Sequence, residues 1–414
     1  MQSLKRQRQR LLIFLMLVGP GIITANVDND AGGIATYSVC GAHFGYSLMW
    51  IIIPVIIALV VVQEMSTRMG VVTGKGLADL IRENFGLKTT FWVMFALLIT
   101  NFGNIVAEFA GVAASLEIFG VSKYISVPIV AIFVWWLIVK GTYSTVERVF
   151  LTACIFYVAY IISGIMARPP WGHVLMQSVT PSFHLDSKYL YMLIGVVGTT
   201  IAPWMQFYIQ ASVVEKGIKV ERYNYTKWDV IGGCISAGIV AGFIVISCAA
   251  TLFVHGINIE TAKDAAVALA PLAGKYCSWL FAFGLLNASV FAASVLPLST
   301  AYSICEGMGW ESGVNKRFRE APKFFGLYTA LIILGAGIIL IPNVPLILIM
   351  VLSQVVNGVL LPFILIYMLL LINNQGLMGK YVNGKIFNLI SWITTIVMIV
   401  LTIILAIATI MQFL

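Results

Sequence analysis

Long apolar stretches alternate with short polar segments along almost the whole chain. A membrane-spanning helix needs about 20 mostly apolar residues. Eleven stretches fit that length, namely 11–42, 46–70, 89–118, 123–140, 145–167, 188–214, 228–254, 277–305, 323–341, 345–372 and 386–412. Two amphipathic segments, 74–86 and 260–274, are expected to form helices in loops. The pattern predicts an all-α integral membrane protein with eleven transmembrane helices.

The first and sixth predicted spans are interrupted near their middle. Polar and small residues cause both interruptions. In the first span these residues are Asn26, Asp28, Asn29, Asp30, Gly32 and Gly33. In the sixth span they are Gly198, Thr199, Thr200 and Pro203. Unsatisfied backbone groups are costly in hydrocarbon, so a broken helix persists where it lines a cavity. Two broken helices in corresponding positions indicate a transporter site.

The spacing of the two breaks predicts how the chain is organised. The breaks lie five spans apart, and because five is odd, the two units have opposite orientations in the membrane. This predicts an inverted repeat of five plus five helices. The expected units are 1–167 and 188–372, followed by an extra transmembrane helix at 386–412.

The distribution of Lys and Arg predicts the orientation of the chain. With the N-terminus in the cytoplasm, only five of the 25 basic residues fall outside, and these are Lys123, Arg168, Lys188, Lys263 and Lys275. Cytoplasmic loops of membrane proteins carry such an excess of positive charge. We therefore expect a multi-pass protein of the cell membrane with a cytoplasmic N-terminus and an extracytoplasmic C-terminus.

Composition excludes several classes of protein. Hydrophobic residues make up 60% of the chain and charged residues 10%, whereas a soluble domain carries about 25% charged residues. A soluble enzyme, a nucleic-acid binder and a secreted disulfide scaffold are excluded. The lipid bilayer is the expected surrounding, nucleic acid is not an expected partner, and the oligomeric state stays open, with a monomer compatible with every pattern.

Acidic residues in the first break are the best candidates for chemistry. Asp30 lies where freed carbonyl groups also face a cavity, and carboxylate plus carbonyl oxygens suit Mg²⁺, Ca²⁺ or Mn²⁺. The alternative for Asp30 is a cap on the following half-helix, although Asn would cap without the cost of a charge. Asp28 is either a second ligand or a charge facing water at the cavity edge.

Polar residues on two other spans leave two interpretations open. Asn101, Asn104 and Glu108 share one helix face and either line an ion or proton path or hydrogen-bond between helices. Gln354 and Asn357, three residues apart on the tenth span, either bind a cation or hold helices together. The four histidines fall in or beside outer loops rather than in a break, and they are His43, His173, His184 and His255.

Several motifs, in their order and spacing, resemble the NRAMP family of divalent-metal transporters. The family pattern GP…DPGN.AT…G..FGY.L.W is matched by GPGIITANVDNDAGGIATYSVCGAHFGYSLMW. Also similar are QEMSTRMGVVTGKGLADLIRENFG, IVAEFAG, STVERV, CEGMGW and SQVV…LPF. The resemblance covers about 15–370 and implies the LeuT fold, which agrees with the inverted repeat and the broken helices 1 and 6.

Departures from the family pattern bear on the metal site. The family's DPGN appears as Asp30-Ala31-Gly32-Gly33, and its MPH appears as Ala202-Pro203-Trp204, so the coordinating Asn and Met and the adjacent His are replaced. Carried over by position, the resemblance implies that Thr199 offers a backbone carbonyl and that Gln354 approaches the metal. The expected metal site comprises Asp28, Asp30, Gly33, Thr199, Ala202, Gln354 and Asn357.

Loss of the thioether and the amide predicts the substrate. Thioethers favour soft transition metals, whereas a larger all-oxygen pocket suits Mg²⁺, which usually keeps its water. The pattern is similar to that of the NRAMP-related magnesium transporters. We expect a secondary transporter that moves Mg²⁺, and also Mn²⁺, into the cytoplasm by alternating access, without proton coupling and without a cofactor beyond the transported ion.

Four alternatives remain beside this expectation. The nearest is a proton-coupled Mn²⁺/Fe²⁺ transporter of the NRAMP type. An amino-acid transporter of the same fold is disfavoured by Asp30, because such a site needs a half-helix that binds a carboxylate. A cation channel is usually a symmetric oligomer, which an internal inverted repeat disfavours. An intramembrane enzyme would need a nucleophile–base pair or a metal cluster at membrane depth. No histidine of this sequence is expected there, so we do not expect an enzyme.

Overall fold

The computed structural model describes residues 20–140, 158–184 and 186–413. Within these ranges all regular elements are helices and no strand occurs. The helices of eight residues or more are α1 Pro20–Val27, α2 Ala31–Phe44, α3 Met49–Thr73, α4 Leu77–Glu117, α5 Lys123–Lys140, α6 Val158–Met166, α7 Trp171–Val179, α8 Ser187–Thr200, α9 Pro203–Glu215, α10 Tyr223–Thr251, α11 Cys277–Met308, α12 Pro322–Ile339, α13 Leu346–Ile372 and α14 Lys385–Phe413.

Nine of the eleven predicted spans are confirmed as helices long and apolar enough to cross a membrane within the described ranges. These are the second to fourth and the sixth to eleventh spans. The first corresponds to α1 and α2, with 11–19 outside the described residues, and only the end of the fifth is described, as α6. The all-α membrane class is confirmed, whereas the division into 1–167, 188–372 and 386–412 stays a prediction.

The two amphipathic loop segments are helical in part. Segment 74–86 is continuous with the third span in α4, and Gly86, with φ of 79°, marks the kink between them. This positive φ is open to glycine without steric cost, so the chain changes direction there. The segment 260–274 forms only short helices, Ala262–Ala266 and Ala270–Ala273.

Both predicted breaks are present, and the second lies later than the sequence indicates. The first falls at 28–30, between α1 and α2. In the sixth span Gly198, Thr199 and Thr200 remain helical, and the gap is Ile201 and Ala202. Pro203 explains this position, because proline has no N–H to extend a preceding helix but fits the first turn of the next one.

The broken helices lie inside the bundle. α1 and α2 pack against α10, α8 packs against α13, α9 packs against α3, and α4 packs against α11 and α13. α14 packs on α13 and exposes apolar side chains such as Ile393, Ile396 and Val400 on its outer side. The breaks are therefore enclosed by helices, and the apolar outer surface is suited to lipid.

The first half-helix is tied closely to α10. The backbone N–H of Gly21 donates to Asp229 Oδ2 over 2.8 Å. A Cβ on Gly21 would collide with the backbone of Val230, 2.6 Å away. Because the N–H groups of a first helical turn lack partners within the helix, this carboxylate stabilises the start of α1.

Candidate metal site

The first break meets α8, the helix that ends at the second break, at Gly33. A Cβ on Gly33 would collide with the carbonyl oxygen of Asp28 and would lie 3.1 Å from the hydroxyl oxygen of Thr199. A Cβ on the neighbouring Gly32 would collide with the side-chain amide of Gln354. Four of the predicted site residues, from the first break, α2, α8 and α13, are therefore brought together.

Asp30 caps the second half-helix. Its Oδ1 accepts a hydrogen bond of 2.6 Å from the backbone N–H of Gly33, and the residue is 3% exposed. The capping interpretation is thus confirmed. It is compatible with metal binding, because a carboxylate has lone pairs on both oxygens and the cap uses one oxygen.

Asp28 has a buried carboxylate for which the described residues provide no hydrogen-bond partner. Both side-chain oxygens are buried, and the residue is 2% exposed. This burial is at odds with the interpretation of Asp28 as a charge facing water at the cavity edge. A buried carboxylate is costly unless it is paired or coordinates a cation, so the geometry suits the ligand interpretation.

An amide network extends from Gln354 to α4. Asn357 Nδ2 donates to Gln354 Oε1 over 2.9 Å and to Asn104 Oδ1 over 3.1 Å. Asn104 Nδ2 in turn donates to Asn357 Oδ1 over 2.9 Å. The interhelical interpretation therefore holds for Asn104 and Asn357. Asn357 orients Gln354, and both polar atoms of its own amide are already engaged.

Glu108 reaches the site, although the expected ligand set leaves it out. Its Oε2 accepts a 3.2 Å hydrogen bond from the backbone N–H of Ala31, and its carboxyl group lies against that of Asp30. Asn101, on the same helix face, donates instead to Thr300 over 2.9 Å. The sequence placed Glu108 on one helix face with Asn101 and Asn104. That shared polar face was the signal by which Glu108 could have been assigned to the site.

The gap in the sixth span contributes a carbonyl that is already engaged. The carbonyl oxygen of Ala202 accepts from Gln206 Nε2 over 3.1 Å. Trp204 is 1% exposed, and its ring packs 6.1 Å from that of Tyr208. The carbonyl of Thr199 lacks its usual helical partner, because residue 203 is a proline without an N–H.

The site offers oxygen atoms of several kinds. Within the described ranges, no group of three His, Cys, Asp or Glu side chains is arranged to hold a metal ion. The available donors are the carboxylates of Asp28 and Asp30 and the carbonyl and hydroxyl of Thr199. The Gln354 amide adds an oxygen that already accepts one hydrogen bond from Asn357 Nδ2. Such a mixed oxygen set is suited to a hard divalent cation that keeps part of its water.

Gly33→Ala is expected to reduce divalent-cation uptake at least tenfold. The added methyl would displace the carbonyl of Asp28 and so separate the two breaks. Uptake by proteoliposomes measures the effect. Gly103→Ala is the matched control, because a Cβ there meets no atom within 4 Å, and it should transport normally. Equal uptake by both variants would contradict close packing at Gly33.

Comparisons with known proteins agree with the fold and with the family resemblance. The sequence profile of the Nramp family, described as natural resistance-associated macrophage protein-like, matches residues 21–408. The "Divalent metal cation transporter MntH" of Deinococcus radiodurans is 28% identical over 409 residues, covering 95% of this chain and 89% of the relative. The protein of the same name from Bacillus subtilis is 26% identical, covering 95% and 92%.

Solved structures with the same fold include transporters of different kinds. A manganese transporter from Eremococcus coleocola superposes with a TM-score of 0.74 at 21% identity, covering 95% of this chain and 86% of the other. Mhp1, a nucleobase-cation-symport-1 family transporter in a closed conformation, gives a TM-score of 0.58 at 13% identity, covering 94% and 92%. The fold expected from the breaks is confirmed.

Proposed function

This chain belongs to the Nramp family of divalent metal ion transporters, and from that premise we propose that it moves Mg²⁺, and also Mn²⁺, into the cytoplasm by alternating access. The transported ion is held at the junction of the two breaks by Asp30 and Asp28, the Thr199 carbonyl and the Gln354 amide. The small side chain of Ala202 leaves room for its water, whereas Gly33 lets the backbone of α2 approach the carbonyl of Asp28. One copy of the chain supplies both breaks, so a monomer is sufficient for this site.

The observation that carries the magnesium assignment is the oxygen-only donor set at the junction. Mg²⁺ prefers oxygen ligands, dehydrates reluctantly and is usually bound through one or two carboxylates with several waters retained. Two buried carboxylates, Asp28 and Asp30, meet that description. At position 202 the side chain is a methyl group, which offers no soft donor to a transition metal.

Manganese is the second candidate substrate, and the names of the relatives support it. The relatives are called divalent metal cation transporters, and the structural neighbour is a manganese transporter. Mn²⁺ also binds to oxygen ligands. The competing proposal is a proton-coupled Mn²⁺/Fe²⁺ transporter, in which Glu108 beside Asp30 is the candidate proton carrier.

The distribution of basic residues gives the orientation of the chain, and the double charge of the ion gives the driving force for its entry. With the N-terminus in the cytoplasm and the C-terminus outside, the basic loops face the negative interior. A divalent cation then gains about 4.6 kcal/mol per 100 mV, twice the value for a unit charge. Entry therefore needs no co-transported proton.

Uptake of Mg²⁺ without acidification is the expected result in proteoliposomes with an inside-negative potassium diffusion potential. The assay measures Mg²⁺, Mn²⁺ and Ca²⁺ entry together with internal pH. Protein-free liposomes are the control for leak. Manganese entry with acidification, and no magnesium entry, would favour the proton-coupled alternative. Loss of that acidification in Glu108→Gln would then identify Glu108 as the proton carrier.

A further inference from the structure

Buried polar atoms collect along the contact between α3 and α9. Gln63 and Thr67 lie on α3, Gln206 and Gln210 lie on α9, and all four are 0–1% exposed. Both amide atoms of Gln63, the Thr67 hydroxyl and the Oε1 atoms of Gln206 and Gln210 have no hydrogen-bond partner among the residues that the structure describes. We call this set of four residues the amide seam.

The register of the two helices places the amide seam between the break and the loop after α3. Ser66 Oγ donates to the carbonyl of Gln206 over 2.9 Å, and a Cβ on Gly70 would lie 3.1 Å from Gln210 Cγ. α3 and α9 are therefore parallel here. One turn before Ser66, Gln63 lies at the level of Ala202, beside the break.

The opposite end of the amide seam lies beside acidic side chains. Gln210 Nε2 donates to the carbonyl of Lys75 over 2.8 Å. A Cβ on the next residue, Gly76, would collide with the carboxylate of Glu306, whose Oε2 is buried and has no described hydrogen-bond partner. Asp79 and Glu215 also act electrostatically on Glu306. In the proposed orientation this end is cytoplasmic, and Asp79 is paired there with Arg82 over 3.0 Å.

Ordinary helix packing does not account for the amide seam. Where α4 meets α13, Asn104 and Asn357 satisfy each other with two hydrogen bonds. In the amide seam the four side chains form no such pairs with one another. A buried polar group without a partner is destabilising, so these oxygens are explained by a polar species that meets them during the transport cycle.

We propose that the amide seam is the release path of the transported cation and that its four side chains form a second, transient site for the hydrated ion. This inference rests on the proposed function for its direction of transport. Neutral oxygens replace part of a hydration shell and yet let the ion leave, because they lack the charge that holds it at Asp30. The carboxyl group of Glu306, whose Oε2 is buried without a described hydrogen-bond partner, lies at the cytoplasmic end of this path.

Cysteine accessibility tests the path without relying on transport of any one metal. Thr67→Cys is expected to react with a positively charged methanethiosulfonate at least ten times faster than Thr395→Cys, and Mg²⁺ or Mn²⁺ should slow the reaction. Thr395 is the matched control, because it is also buried but donates to the carbonyl of Ser391 in its own helix α14. Treated wild-type protein corrects for the native cysteines. Equal rates, or no protection by cation, would overturn the proposal.

A second experiment separates a release path from a structural role. Gln63→Leu combined with Thr67→Val removes polar atoms that make no described hydrogen bond, so thermal stability should stay the same or rise. Maximal uptake is expected to fall about tenfold, with an apparent affinity that changes less than threefold. Mn²⁺ serves as substrate if Mg²⁺ is not transported, which keeps this result independent of the magnesium assignment. Unchanged uptake would overturn the release path.

Discussion

Asp30→Asn is expected to lower divalent-cation uptake by two or more orders of magnitude. Removing one partner of a buried charge pair costs about 3–5 kcal/mol, and each 1.4 kcal/mol corresponds to tenfold in affinity. The fold should survive, because Asn caps a helix about as well as Asp and can still accept from the Gly33 N–H. The measurements are uptake by proteoliposomes and binding by isothermal titration calorimetry.

The control for this variant is the same substitution at another helix N-terminus. Asp186 caps α8 by accepting from the backbone N–H of Tyr189 over 3.3 Å, and it is exposed to solvent. Asp186→Asn should therefore transport like the wild type. Normal Mg²⁺ flux through Asp30→Asn would remove Asp30 from the site and with it the centre of the proposed mechanism.

Ala202→Met is expected to shift selectivity from Mg²⁺ toward Mn²⁺ by about tenfold. The thioether would add a soft donor that Mg²⁺ does not use and would take up space that is left for bound water. Mn²⁺ tolerates mixed ligands better and should lose less. Trp204, two residues after Ala202, is buried and limits the room available for the Met side chain. We therefore expect only a partial shift in selectivity.

The measurement is Mn²⁺ uptake in the presence of excess Mg²⁺. Ala336→Met on α12, a buried position away from both breaks, is the control. It should leave the ratio of the two ions unchanged even if it lowers both rates. If Mg²⁺ competes equally well against wild type and Ala202→Met, side chain 202 does not set selectivity.

The family pattern also suggests the substitution Gly33→Asn, but the packing at position 33 makes that variant unsuitable as a test of selectivity. Any side chain at Gly33 meets the carbonyl of Asp28. Such a variant would move the backbone of the first break, so a change in selectivity would have no single cause. For this reason Ala202→Met is tested alone.

The fold was largely predictable because its signals are local. Runs of apolar residues fix the spans, and the polar residues around Asp30 fix the first break. The odd spacing of the breaks gave the inverted repeat, and the structural neighbours confirm the fold. The exact edge of the second break was less predictable, since Gly198 can remain helical and Pro203 decides where the next helix starts.

Contacts between distant helices could not be predicted from the sequence. The carboxyl group of Glu108 meets Asp30 across 78 positions of sequence (108 − 30). Likewise, Asn357 faces either a cavity or Asn104 depending on how α4 and α13 are rotated. Spacing along one helix identifies a shared face but does not identify what that face contacts.

The tie between α1 and α10 bears on how fast the protein can cycle. Opening α1 away from α10 breaks the hydrogen bond from Gly21 to the carboxylate of Asp229. A hydrogen bond to a charged group contributes about 1.5–3 kcal/mol, equivalent to roughly ten- to a hundredfold in rate. Either α1 and α10 move together as one rigid body, or each transport cycle includes the breaking of this hydrogen bond.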